Sequence, residues 1–441
     1  MEKKMNVIKT VKIPLHYGNT QTKIRKLDKL TARFTYCVWL WSDIIDRERT
    51  LSRTKLSPFE HEIQEKTKLS SGFVQQCKDK AIWCWRQYKT AHKIWRKKLN
   101  KAKEGTKWHS KLLKREPSTP FTSARSKKEK CPVRIDNRTG IVRVDLKLTQ
   151  WILKTSTLVK GQRITLLLNP SRYHKEQLDK GNISDFEIVK RNKKWYAHIT
   201  VNYEVNTQPV MSIRGVDLGI RRDIATVLLS PEPNTFRIVT DKTKKKVLRT
   251  LNDMVSHLRR EEKWNVLKRL RNKRNNISQY HDWRIAKDFV ANHCHNSLVV
   301  VGNPDYIRYN HYKGNGDKIG RSMLNSWSFG RVGDNILHYC LQQGTVAVKE
   351  NEWGTSSRCS KCGGKMSADG RRVTCQSCGI QYDREFNSTV NIAREGISFL
   401  SDKTFLEKAG AEVDTALTVD ESLHMGGAQN YELPSGEALR P

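Results

Sequence analysis

Two patterns with chemical potential lie side by side in the C-terminal third of this chain. Cys359 and Cys362 form one C-x2-C pair, and Cys375 and Cys378 form another. Each pair can fold over one ion, so four thiolates at this spacing suit a single tetrahedral Zn²⁺. Two disulfides are the other use of the same residues. Gly363 and Gly379 follow the second cysteine of each pair, where a tight turn needs positive φ. The run Tyr382-Asp383-Arg384-Glu385-Phe386-Asn387 comes next, and a purely structural ribbon does not account for its acids. Upstream, Asp217 sits in Gly215-Val-Asp-Leu-Gly219, alone among apolar residues. A charge there must pair, bind metal or face solvent. The flanking glycines admit close backbone approach. Asp223, at the following turn, reads as structural.

The chain of 441 residues carries 82 Lys+Arg against 45 Asp+Glu, a formal net charge of +37. Self-repulsion of that size excludes an ordinary metabolic enzyme and predicts a polyanionic partner, for which phosphate backbones are the usual chemistry. A membrane surface is the rival polyanion. No stretch of about 18 apolar residues is present to span a bilayer, and no separate amphipathic anchor stands out. The N-terminal Met1-Glu2-Lys3-Lys4-Met5 lacks an apolar h-region, so secretion is not expected. Cys37, Cys77, Cys84, Cys131, Cys294 and Cys340 are scattered through apolar or mixed contexts. They read as reduced core thiols, which predicts a cytosolic setting.

These residues need elements to hold them. Residues 6–13 alternate as a strand. Ile24, Leu27, Leu30, Phe34, Val38, Trp41 and Ile45 recur at helical spacing, and Pro58 opens a short second helix. A third helix runs from about Ser71 to Leu99, its inner face marked by Phe73, Cys77, Ile82, Trp85, Tyr88 and Ile94. The Lys-rich 97–130 stretch reads as a linker or disordered loop. Strand patterns follow, with a hairpin turn at Asp136–Gly140, a strand over 164–168, and a hairpin joining 186–189 to 196–201. From Ser212 the expected order is strands at 213–219, 224–229 and 236–239, basic helices over 243–293, and a buried strand at 297–301. A helix over 322–343, a strand at 345–349 and a helix at 386–399 complete it. Three strands, helix, strand, helix, strand, helix is the order of the RNase H superfamily. Phosphodiester hydrolysis on that fold uses two Mg²⁺ ions held by acids from separate segments, and hard Mg²⁺ takes oxygen ligands while keeping several waters.

The Gly-Val-Asp-Leu-Gly-Ile strand, the Thr-Ser-Ser-Arg-Cys-Ser-Lys-Cys-Gly knuckle and the Asp-Arg-Glu-Phe-Asn-Ser-Thr-Val-Asn-Ile helix together resemble TnpB. This is the RNA-guided nuclease of insertion sequences, related to Fanzor proteins and compact type V CRISPR effectors. The resemblance is strong over 212–399 and looser before that. It implies an α+β multidomain fold: a wedge-type β-barrel (1–20 and 131–211) interrupted by a helical recognition insert with a basic linker (21–130). A RuvC-like nuclease domain follows (212–354 and 383–402), with an inserted zinc ribbon that contacts target nucleic acid (355–382). An acidic, disordered tail (403–441) ends the chain.

The resemblance implies a three-part catalytic site in which Asp217 matches the first part. The second is normally a glutamate after the strand at 298–301, where this chain has Gly302. Either the site is lost or the acid has moved. Glu352, at the end of the next strand, fits a relocated ligand as in Fanzor proteins, with Glu350 as runner-up. The third part is Asp383 with Glu385 in place of the usual second aspartate. Asn387 and Asn391, one turn apart, are expected to brace the site. Two Mg²⁺ ions on Asp217, Glu352, Asp383 and Glu385 and one Zn²⁺ on the four cysteines are the implied cofactors. A guide RNA and target double-stranded DNA with a short flanking motif are the implied partners, and no membrane is.

The expected function is RNA-guided DNA cleavage in the cytoplasm at the nucleoid, or in the nucleus of a eukaryotic host. The rivals are a guide-directed repressor without cleavage, a compact CRISPR effector, and a zinc-ribbon transposition factor needing no guide. Gly314–Gly320 contains G-x-G without the context of a dinucleotide fingerprint and reads instead as a lid. His293-Cys294-His295 reads as structural, because further ligands are missing nearby.

Overall fold

The computed structural model describes residues 4–120, 130–159, 161–192, 194–220, 222–230, 235–304 and 327–402. The expected lid, the start of the 322–343 helix and the tail from 403 lie outside them. The chain divides into two compact units, Ile8–Tyr203 and Met1–Val7 with the segment from Glu204 onward.

In the first unit, β1 (Lys4–Pro14) leads into helix α1 (Gln21–Glu48). Thr20 caps α1 by accepting from the Lys23 N–H. The helical stripe is buried as its spacing requires, from Leu27 through Phe34 and Trp41 to Ile45. Helices α2 (Arg53–Leu56) and α3 (Glu60–Thr67) are short, and α4 (Ser71–Asn100) packs along α1. The Trp41 indole donates to the Val74 carbonyl at 3.0 Å and the Trp85 indole to Ser42 at 2.7 Å, so both aromatics bury their rings with the polar edge satisfied. The buried face of α4 ends at Trp85. Ile94 is 48% exposed, which corrects its assignment to the inner face. Beyond Trp85 the helix pairs a half-buried row of Tyr88, His92 and Trp95 with an exposed basic face.

The Lys-rich stretch is not structureless throughout. Helix α5 (Lys107–Leu113) forms within it, capped by Thr106, and its Leu112 carbonyl accepts the Trp95 indole N–H at 2.9 Å. One apolar anchor suffices to order a segment whose composition alone argues for a loop.

Strands β2 (Val133–Ile135), β3 (Gly140–Asp145), β4 (Gln150–Ser156) and β5 (Arg163–Leu167) follow, then α6 (Arg172–Leu178), β6 (Asn182–Arg191) and β7 (Lys194–Asn206). They form two sheets, ordered β1-β7-β6-β2 and β3-β4-β5, joined by a bridge between Leu15 and Leu168. The Asp136 turn is therefore no hairpin, since β2 pairs with β6 and β3 with β4. The Asp136 carbonyl accepts from the Thr139 and Gly140 N–H groups and hands the chain from one sheet to the other. A Cβ at Gly140 would stand 2.6 Å from the Lys154 carbonyl, so only glycine permits that crossing.

The second unit contains β8 (Ser212–Asp217), β9 (Ile224–Leu229), β10 (Thr235–Val239), and helices α7 (Lys242–Arg260), α8 (Trp264–Leu270) and α9 (Lys273–His293). After them come β11 (Ser297–Asn303), α10 (Phe329–Gln343) and β12 (Ala347–Asn351). The ribbon strands are β13 (Met366–Asp369), β14 (Arg372–Cys375) and β15 (Gln381–Asp383), and α11 (Arg384–Glu395) and α12 (Ile397–Leu400) close the described chain. The main sheet is ordered β10-β9-β8-β11-β12. β8, β9 and β10 are antiparallel neighbours, whereas β11 runs parallel to both β8 and β12. Side chains on β11 alternate between two cores, as strand geometry demands. Leu298 and Val300 pack with Val390 and Ile392 of α11, and Val299 and Val301 pack with Phe289 of α9 and Ile336 of α10. A Cβ at Gly215 would meet the Thr389 carbonyl at 2.2 Å, so this glycine lets α11 lie directly on β8.

Candidate active site

The sheet topology brings two of the expected segments to one end of the main sheet. Asp217 is the last residue of β8, not a mid-strand residue as expected. β11 runs parallel beside it, with Val301 opposite Val216, so Gly302 follows at the level of Asp217. On the other side of β11, Gly302 stands opposite Glu350 in β12. Glu352 lies one residue past the end of β12.

Its side chain nevertheless returns over β11. A Cβ built on Gly302 would be 2.7 Å from Glu352 Oε2, 3.4 Å from Glu352 Cβ and 2.9 Å from Ile392 Cδ1. The Glu352 carboxylate thus occupies the space into which a side chain at position 302 would grow. The backbone is turned there by Thr355, whose N–H and hydroxyl both donate to the Glu352 carbonyl, at 3.2 and 2.9 Å.

Asp383 ends β15 and caps α11, with Oδ1 accepting from the Glu385 N–H at 2.8 Å. Its Oδ2 accepts from Arg222 Nη1 at 3.1 Å, and the same nitrogen donates to Glu385 Oε2 at 2.7 Å. Both acids of the third segment therefore meet at one guanidinium. Arg222 was not singled out from the sequence; the available signal was an arginine three residues after Gly219 in a turn leading out of an acid-bearing strand. A Cβ at Gly219 would stand 2.5 Å from the Arg222 carbonyl, which shows how tightly that turn folds back. Asp223 is structural as expected, accepting the Asp241 N–H at 2.8 Å.

The electrostatics are those of crowded acids. Burial raises the Asp217 carboxyl above the usual carboxylate range, although a hydrogen bond from Ser388, the Arg384 charge and the Leu218 N–H pull the other way. Burial also raises Glu385; Arg222 opposes this, and the negative charges of Asp383 and Asp217 add to it. Ser388 reaches the other half of the site as well, lying 3.1 Å from the Thr355 hydroxyl.

Asn387 and Asn391 do brace this region. Asn391 Nδ2 donates to the Thr355 and Arg358 carbonyls, both at 2.7 Å, and Asn387 Nδ2 donates to the same two carbonyls at 3.3 and 2.8 Å. Asn387 Oδ1 accepts the Ser360 N–H at 2.8 Å. One face of α11 therefore holds both the turn that sets Glu352 and the start of the cysteine knuckle.

Cys359, Cys362, Cys375 and Cys378 converge with their sulfurs within 4.8 Å of one another, the only such ligand cluster among the described residues. Gly363 and Gly379 have φ of +76° and +71°, as their place after each pair demands. Their N–H groups donate to the Cys359 and Cys375 carbonyls, forming two matching knuckles. The Cys375 thiol is lowered to about 6, chiefly by the Cys378 N–H. For Cys362 the Gly364 N–H pulls downward, but hydrogen bonds shared with Cys378 and Cys375 outweigh it and push the thiol up to about 12. Sulfurs this close ionise together only around a cation, so the donor set fits Zn²⁺. His293-Cys294-His295 takes no part: Cys294 is buried in the core and His295 bonds the Ala291 carbonyl.

Residues 329–392 match the family model of the Cas12f1-like TNB domain. The chain is 22% identical over 221 residues to the CRISPR-associated endodeoxyribonuclease Cas12f1 of Sulfoacidibacillus thermotolerans, covering 46% of this chain and 50% of that protein. It is 33% identical over 75 residues to a TnpB-like protein of Acanthamoeba polyphaga mimivirus, covering 17% of this chain and 14% of that protein. Over these segments the chain is similar to Cas12f1-like and TnpB-like proteins. It spans half the length of the curated Cas12f1 relative and less of the TnpB-like one. Among solved structures, a Cas12f1–sgRNA–target DNA complex aligns over 88% of this chain and 99% of that one, at 14% identity and a TM-score of 0.48. The mini-RNA-guided endonuclease Cas_phi3 aligns over 88% and 92%, at 12% identity and a TM-score of 0.49. No helix among the described residues is long and apolar enough to cross a membrane.

Proposed function

We propose that this chain is an RNA-guided DNA endonuclease of the TnpB type, cleaving target DNA by metal-dependent phosphodiester hydrolysis in a RuvC-like site. The observation that carries this reading is the Glu352 carboxylate lying in the space of a side chain at Gly302. It supports relocation of the second acid over loss of the site. The strand order β10-β9-β8-β11-β12, antiparallel on one side and parallel on the other, supports an RNase H-like assignment.

In this reading Asp217, Glu352, Asp383 and Glu385 hold two Mg²⁺ ions, which would supply an activated water and charge stabilisation at the leaving oxygen. Thr355 and Ser388 fix the carboxylates from behind, and Asn387 and Asn391 fix Thr355. The first unit takes the part of a wedge-type barrel with a helical recognition insert. The basic N-terminal half and the helices α7, α8 and α9 hold a guide RNA and its heteroduplex by shape and backbone charge. Base pairing reads the target, and the protein reads a short flanking motif on the duplex. The reading places the protein with its DNA, in the cytoplasm of a prokaryote or the nucleus of a eukaryote.

The Cas12f1 relative favours a second reading with the same chemistry, a compact CRISPR effector. A repeat array beside the gene identifies that case, and a transposon end overlapping its 3′ end identifies a TnpB. The test of the function is plasmid cleavage with co-purified RNA, a matched target and Mg²⁺. Guide-dependent binding without any cutting by the wild type would replace this reading with a repressor.

A further inference from the structure

The contact between Arg222 and the third acidic segment has an unusual form. Arginine ordinarily grips one carboxylate with both arms of its fork. Here a single nitrogen, Nη1, lies 3.1 Å from Asp383 Oδ2 and 2.7 Å from Glu385 Oε2, bridging two carboxylates as a point cation would. The three side chains are 15%, 7% and 26% exposed, so the contact is largely shielded from water. The arginine is also delivered there by its backbone. The Gly219 turn folds the chain back, and Asp223 next door is tied to the Asp241 N–H at 2.8 Å and to Lys245 at 3.6 Å.

We infer that Arg222 is a metal-competing clamp: its guanidinium occupies the cation position between Asp383 and Glu385 and must give it up when a divalent ion binds. The inference rests on the metal-dependent reading of this site. The clamp keeps the two acids together when no metal is present, and the charge it supplies must be displaced before they can act as ligands. Divalent affinity is therefore set below what the acids alone would give. The rival is a plain brace in which Arg222 only ties its own backbone segment to α11. A brace predicts that removing it loosens the acids and weakens metal binding, whereas a competitor predicts the reverse.

The experiment is a Mn²⁺ titration of the full-length, zinc-loaded, RNA-free protein, followed by electron paramagnetic resonance of free Mn²⁺. Wild type is compared with Arg222→Ala, Arg222→Lys, Asp217→Ala and Glu352→Gln. We expect Arg222→Ala to bind Mn²⁺ about tenfold more tightly, the equivalent of one charge-assisted contact released. Arg222→Lys, which keeps a point charge, should fall between Arg222→Ala and wild type. Equal or weaker Mn²⁺ binding by Arg222→Ala, with unchanged zinc content and circular dichroism, overturns the clamp. If Arg222→Ala does not fold, Arg222→Met keeps the stem without the charge and is judged by the same criterion. Mn²⁺ binding unaffected by Asp217→Ala and Glu352→Gln would instead overturn the metal-site reading, and the clamp with it.

Discussion

Two clusters of acids in the second unit are solved in opposite ways. Between α7, α9 and α10, Asp282 is fully buried and bonded by Lys244 Nζ and Arg331 Nε, both at 2.6 Å. Neighbouring Asp241 caps α7 through the Lys244 N–H and accepts from His281 at 2.6 Å and Arg284 at 3.1 Å. Each acid there has cations of its own. Burial works against the Asp241 carboxylate, but the Lys244 N–H, His281 and Arg284 outweigh it and hold the carboxyl below its ordinary value. At the end of β8, Arg222 bridges Asp383 and Glu385 instead, and burial raises Asp217 and Glu385. The first cluster is a finished joint between helices. In the second, two acids share one guanidinium and two carboxyls are raised, a pattern of perturbed groups that suits a working site.

The contrast breaks first at Glu352. Glu352→Gln and Asp217→Ala should each reduce metal-dependent cleavage about a thousandfold, as loss of a charged metal ligand implies, with target binding in a mobility-shift assay unchanged. Robust cutting by Glu352→Gln would return the second acid to an unidentified position. The reverse case is Asp282→Ala, which leaves Lys244 and Arg331 without their shared acid. It should cost about 3 kcal/mol of stability in urea unfolding, while cleavage per folded molecule stays near wild type.

A smaller effect sharpens the link between ribbon and acids. Asn391→Ala should slow cleavage about tenfold to a hundredfold, the usual scale for a group that orients a ligand, with zinc content retained. Transplanting the acid probes the same geometry. Gly302→Glu alone should be inactive and destabilised, because its Cβ would meet the Glu352 carboxylate. Gly302→Glu with Glu352→Ala should recover part of the cutting.

The smallest effect concerns pH. Asp217 binds its proton more readily folded than unfolded, so without metal its charge opposes folding as pH rises above the unfolded value of about 3.9. Asp217→Asn should therefore raise the melting temperature of the metal-free protein at neutral pH, and the gain should vanish as pH falls below that value. Asp241 has the opposite sign. Its stabilisation is complete above the unfolded value and is lost as pH falls through its lower folded one, so Asp241→Asn should be destabilising only on the neutral side.

Features written in short spacings were legible in the sequence. The cysteine pairs and their glycines specify two knuckles locally, and the pairing of Gly302 with a glutamate at the next strand end agrees with the contact between Gly302 and Glu352. Arg222 was hidden because arginine is abundant in a chain of this charge. Only the fold of the Gly219 turn separates it from the many that face solvent. The Asp282 joint was hidden for a related reason, since Lys244 and Arg331 come from two other helices, one read only as basic and the other only as helical. Helix α5 was missed because its ordering comes from Trp95, which lies on another helix.

The two asparagines of α11 also define where the ribbon can be cut. They hold the carbonyls of Thr355 and Arg358, both of which precede the first cysteine. A chimera built by exchanging only the stretch from Cys359 to Cys378 would keep the zinc chemistry and lose the register of the graft. The exchangeable cassette runs from Thr355 through Asn391, and a donor ribbon should be moved with its own helix.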